Sequence, residues 1–252
     1  MKRKIDSDEL ETFFQDGIVN DLMYATRHYI IWRTIGENFS RLKSISNKNK
    51  DNLFGHIQSS DQDLAVLSLA KIFDSKDRRH TVRSINEFLD IEFKPTSYFP
   101  LDTKDYIEFS LLRSRLNIID FPLQFETPVQ LALFFKGIFN NELVINKIKK
   151  IQYVRNKFLA HNEHNVEFQK LDSFWSDFLD LLDFLKLFVS LFGVTVLGSH
   201  YFQFEDFKEG SFHYSVIHQV YWLVEEIEKL IGKENFNYWW IDSTLSESRF
   251  VN

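Results

Sequence analysis

The chain has 252 residues, no cysteine, 44% hydrophobic residues and a formal charge of −6. The missing thiols exclude a disulfide-stapled scaffold and a Cys-rich zinc site, while 27 Phe within a 16% aromatic content give the apolar surface that disordered chains lack. A mildly acidic balance sets up no global field for polyanions, so any such site needs a local basic patch.

Eight Gly and four Pro are too few for sandwiches and barrels, which turn at short intervals, and they point to helices. The basic opening Met1–Lys4 gives way to Asp6 and Asp8 where a signal peptide needs an apolar run. Phe178 to Phe192, the most hydrophobic stretch, is interrupted by Asp180, Asp183 and Lys186 and falls short of the roughly 20 apolar residues of a membrane span. A cytoplasmic protein without a membrane segment is expected.

Apolar residues from Leu10 to Leu42 predict one long or once-broken amphipathic helix over residues 9 to 46, weakest at Gly17 and Gly36. The polar run Ser46 to Asn52 reads as a turn. Asp61 or Asp63 is placed to cap a helix carrying Leu64 to Phe73, apolar on nearly all sides, that stops near Asp74 and Ser75. A helix from about Thr81 to Leu89 precedes a loop holding Lys94-Pro95 and Phe99-Pro100, and Asp102 or Thr103 is expected to open another through Tyr106 and Ile119.

Thr127-Pro128-Val129-Gln130 combines a capping Thr, Pro at the first helical position and Gln three residues after the cap, and the pattern it starts runs to about His161. Phe168 to Phe192 recur at three- and four-residue steps, with Gly193 placed to end that helix. Val194–Leu197 and Tyr201–Phe204 are spaced to pair as a hairpin across Gly198-Ser199, and a last helix is expected from Ser211 to Gly232. Without repeats or a low-complexity linker, 1–252 reads as one helical domain: a core at about 9–192 and a C-terminal extension at 193–252. Tyr238, Trp239 and Trp240 make the tail too apolar to stand in water, so it is expected against the body or a second subunit.

Lys147, Lys149, Lys150, Arg155 and Lys157 form a cationic stretch with no acid between 147 and 157. It suits a polyanion, and equally the negative end of a helix macrodipole. It leads into Arg155-Asn156-Lys157-Phe158-Leu159-Ala160-His161. An Arg followed by a polar residue, with a His after five intervening residues, resembles the signature of the HEPN (higher eukaryote and prokaryote nucleotide-binding) superfamily. With the upstream segment Leu69-Ala70-Lys71-Ile72-Phe73-Asp74, it resembles the abortive-infection U-type branch.

The resemblance implies an all-α HEPN-like bundle, with a metal-independent endoribonuclease site formed where two copies meet. Such a protein acts in defence or as a toxin, without cofactor, and can answer to an antitoxin or another defence-system protein. On that pattern Arg155, Asn156 and His161 are the catalytic candidates, and Lys147, Lys149, Lys150 and Lys157 the RNA contacts. Arg155 can hold two phosphate oxygens and keeps its charge. A His with an ordinary pKa of about 6.5 exchanges protons near neutrality, and a symmetric dimer brings two, one base and one acid.

Six residues on an ideal helix rotate a side chain by about 240°, so Arg155 and His161 do not share a face and converge only if the helix unwinds near Ala160, where Asn162 can take a left-handed turn, or if each pairs with the other subunit's residue. Some HEPN proteins carry a Tyr two residues after the His, where a partner nucleotidyltransferase modifies it; here Glu163 stands there, which speaks against that style of control. His161 and His164, three apart, suit a metal only if both are still helical, with Glu163 pointing elsewhere; His213 and His218, five apart, are poorly placed for a shared ion, and no metal is expected. The other reading is a HEPN-like dimerisation or partner-binding module without chemistry.

Overall fold

The computed structural model describes residues 4–38, 53–74, 83–103, 122–160, 173–199, 218–222 and 225. The fold is all-α with one two-residue strand pair among those residues.

Asp6 caps α1 (Ser7–Phe13) by accepting the Glu9 N–H at 2.7 Å. The chain stays helical through a wide turn at Phe14–Val19 into α2 (Asn20–Glu37). The expected break at Gly17 is thus a local widening. A Cβ there would lie 2.6 Å from Arg83 Cβ, so the glycine is needed for close approach. Residues 39–52, including the expected turn, lie outside the described residues.

The next helix, α3, runs Leu53–Ile72 and starts well before the expected cap. Asp61 sits within it, its carboxylate 2.5 Å from His28 Nδ1 on α2, and so caps nothing. Phe54 and Ile57 extend the apolar contact to Ile31 and Ile35, which is why the helix reaches back so far. Leu64 and Leu67 are exposed, which corrects the expectation of a helix buried all round. The stop before Asp74 is as expected.

Ser84 caps α4 (Ile85–Leu89), with Thr81 outside the described residues. Asp102, expected with Thr103 to open a helix, is extended. Leu101–Asp102 (β1) pairs antiparallel with Gln124–Phe125 (β2), and the buried Thr103 donates its N–H to Leu123 O and its hydroxyl to Pro122 O. Residues 104–121, where that helix was expected, lie outside the described residues.

Thr127 caps α5 (Pro128–Phe139), accepting the Gln130 N–H at 3.2 Å, while the Gln130 side chain accepts the Glu126 N–H at 2.7 Å. This helix does not continue to His161. It ends at Asn140, and Asn141 caps α6 (Glu142–Val154) by accepting the Leu143 N–H; a wide turn Arg155–Ala160 then prolongs α6.

Helix α7 (Phe174–Phe192) carries the core. Phe178, Phe184, Phe188 and Phe192 are fully buried together with Phe14, Phe88 and Phe135. Phe188 meets Phe135 edge to face at 5.0 Å and Phe192 meets Phe88 so at 5.3 Å, a geometry that adds about 0.5–1.5 kcal/mol per pair to area burial. Gly193 keeps right-handed dihedrals, so the chain continues through a wide turn Gly193–Leu197 and stops at Gly198, with φ 67°. Val194–Leu197 is therefore helical and not a hairpin arm; Tyr201–Phe204 lies outside the described residues. Of the last expected helix, residues 218–222 and 225 are described and helical, with Val220 packed on Ile35 and Phe54. The tail from Lys233 lies outside. No helix among the described residues is long and apolar enough to cross a membrane.

Candidate functional site

The end of α3 and the wide turn that prolongs α6 meet at Arg155. Its Nη1 donates to Asp74 Oδ1, just beyond the end of α3, and its Nε donates to the Asn156 side-chain oxygen at 3.0 Å. Two of the guanidinium nitrogens are thereby fixed, and Nη2 has no partner among the described residues. The Arg155 and Asp74 side chains are 23% and 26% exposed, half-buried enough for the pair to escape most solvent screening. Gln152, one turn earlier on α6, donates to Phe73 O at 3.0 Å and so satisfies a carbonyl that the end of α3 leaves without an intrahelical partner. The two segments singled out in the sequence, Leu69–Asp74 and Arg155–His161, thus meet in space although Asp74 and Arg155 are 81 residues apart.

One turn before Asp74, Lys71 Nζ reaches Asp21 Oδ1 on α2 at 2.8 Å. Asp21 is buried, and its Oδ2 has no hydrogen-bond partner among the described residues. Burial pushes its carboxyl above the usual carboxylate range; the Lys71 hydrogen bond and charge oppose that push, and the nearby Asp74 charge adds to it.

Asn156 is exposed and engaged with Arg155, while His161 and Glu163 lie outside the described residues. The chain is still helical, as a wide turn, over Arg155–Ala160, and the position of His161 relative to Arg155 lies outside the described residues.

The lysines divide. Lys147 donates to Asp177 at 2.5 Å and to Asp180 at 3.1 Å, and Lys150 to Asp177 and to the Ser173 hydroxyl, so both face α7. Burial works against the charge of Lys147, but Asp177 and Asp180 outweigh it and hold the ammonium above the usual lysine range. Burial likewise works against the Asp177 carboxylate; the two ammonium groups outweigh it and hold the carboxyl below its usual range. Lys149 is exposed and Lys157 half-buried. Of the expected RNA contacts, then, Lys147 and Lys150 are placed in an internal network.

Asp74, Asp21 and Lys71 were not identified as site residues by spacing, since they join Arg155 only through helix packing. A second polar pair, His28 with Asp61, bridges α2 and α3, with Tyr24 stacked on the imidazole at 6.2 Å between ring centroids. Among the described residues, no group of three or more His, Asp or Glu is placed to hold a metal ion.

No curated protein and no solved structure matches the chain. A HEPN family model described as AbiU2 matches residues 7–219, a span that takes in both polar segments and every helix that positions them. The Arg155 cluster, the helix order and that match agree: the chain belongs to the AbiU2 family of HEPN proteins.

Proposed function

We propose that the protein is a metal-independent endoribonuclease of the abortive-infection or toxin kind, with a site composed at the two-fold of a homodimer. The observation that carries this reading is the guanidinium of Arg155, fixed at Nε and Nη1 by Asn156 and Asp74 with Nη2 left for a ligand. Such fixing removes the rotamer freedom that a phosphate contact would otherwise cost.

In the proposed reaction one His161 takes the proton of the RNA 2′-hydroxyl as that oxygen attacks the adjacent phosphorus. The bond from phosphorus to the 5′-oxygen breaks, and the partner's His161 protonates that oxygen. Arg155 stabilises the charge on the equatorial oxygens. Products carry a 2′,3′-cyclic phosphate and a 5′-hydroxyl. A defence partner or antitoxin would act by covering this site, and the exposed Lys149 would add a contact to the RNA backbone.

The test is incubation of the purified protein with total RNA in EDTA, beside His161→Ala. Cleavage by the parent and its loss in the variant support the reading. Intact RNA with the parent, or sedimentation as a monomer at micromolar concentration, moves the assignment to a HEPN-like dimerisation or partner-binding module.

A further inference from the structure

Lys71 differs from the other paired lysines around the site. Its side chain is 64% exposed although its ammonium touches an aspartate whose side chain is 8% exposed. The stem therefore lies on the surface and the acid sits beneath it. An ammonium has three N–H donors, and Asp21 Oδ1 takes one. Lys147 and Lys150, by contrast, are 19% and 28% exposed.

Asp74 follows the last turn of α3, its N–H donating to Lys71 O at 3.2 Å, and Asp74 holds Arg155. The two cations are thus tied to the same end of α3, Lys71 as part of its last turn and Arg155 through Asp74, each held by its own carboxylate. Burying a carboxylate is costly, and Asp21 is buried with one oxygen unpartnered among the described residues, an arrangement that fixes the ammonium above it.

We propose that Lys71 is a phosphate-binding residue: Arg155 takes one phosphate of an RNA strand and Lys71, held by Asp21, takes the neighbouring one. The inference rests on the RNA-cleaving reading above and adds a contact from α3, outside the basic stretch of α6.

The test is binding of a fluorescent single-stranded RNA oligonucleotide across a salt series, in a His161→Ala background that leaves the RNA intact. Lys71→Ala is compared with Lys71→Ala/Asp21→Asn, which removes both partners together and leaves no buried carboxylate without its cation, and with Lys136→Ala. Lys136 is an exposed lysine paired with Asp90 on another part of the surface. Both Lys71 variants should lower the slope of log affinity against log salt by about 0.7, the value for one lost single-strand phosphate contact, with Lys136→Ala at the parent slope. A melting curve for the double variant that matches the parent excludes unfolding as the cause. Parent slopes in both Lys71 variants overturn the proposal while leaving the RNA reading standing. Failure of the His161→Ala protein itself to bind RNA at low salt overturns the RNA reading, and this contact with it.

Discussion

Asp177→Asn isolates the network that joins α6 to α7. The substitution keeps the shape and removes the charge that accepts from Lys147, Lys150 and the Ser173 hydroxyl. Breaking a fully buried ion pair costs about 3–5 kcal/mol and an exposed one about 0–1 kcal/mol. Here the acid is 9% exposed and its lysines 19% and 28%, Lys147 keeps Asp180 and Lys150 keeps Ser173. The expected loss is therefore about 2 kcal/mol at pH 7, between those limits. It is read as a lower urea midpoint at unchanged m-value.

The pH dependence follows from the direction of the Asp177 shift. Its folded-state carboxyl lies below the ordinary value, so the stabilisation is present above that ordinary value, about 3.9, and is lost as pH falls through the folded one. The gap between parent and variant should close in acid. Equal midpoints at pH 7, or a gap that persists at low pH, would refute the network as a stabilising element.

Phe188→Ala should cost about 3–5 kcal/mol, because the ring touches Phe14, Phe88, Phe135, Phe139 and Phe192; a loss under about 1 kcal/mol in urea unfolding would mean a loosely packed core. Asp21→Asn has the opposite sign to Asp177→Asn. The folded carboxyl of Asp21 is raised, so the folded state is penalised as pH rises above the ordinary carboxylate value of about 3.9 and until the folded carboxyl has ionised, and the variant should gain stability relative to the parent over that rise; a gap independent of pH contradicts the burial argument. Gly17→Ala should destabilise by more than the helix propensity of Ala gains, roughly 1 kcal/mol, because the new methyl meets Arg83; a raised melting temperature would show that the Arg83 segment gives way freely.

Much of the helical frame is legible in the sequence because it depends on neighbours in the chain. Thr127-Pro128 starts α5 through local hydrogen bonds, and the stripe of α7 is set by its own periodicity. Errors arise where packing decides. Asn140-Asn141 breaks a pattern whose apolar spacing runs on through it, and Gly193 stays right-handed because the helix still has core to cover. Asp61 looks like a cap until His28 claims it.

At the site, Arg155 and Asn156 are legible as a motif. Their partner Asp74 belongs to the other flagged segment, yet no spacing rule joins residues 81 apart. The internal use of Lys147 and Lys150 does have a faint trace. These lysines are three apart, as are Asp177 and Asp180, and antiparallel helices bring such pairs face to face.

The most direct measurement of the central claim is the chemistry of the cut ends. Parent protein, with Arg155→Lys and His161→Ala beside it, is incubated with a defined RNA in EDTA, and the 3′ termini are identified by mass spectrometry. The account predicts 2′,3′-cyclic phosphate ends from the parent and little cleavage from either variant, since an ammonium cannot reproduce the planar fork that binds Asn156 and Asp74 and still presents Nη2 to a phosphate oxygen. Cleavage that requires added magnesium, that leaves 3′-hydroxyl ends, or that continues undiminished in His161→Ala would contradict it.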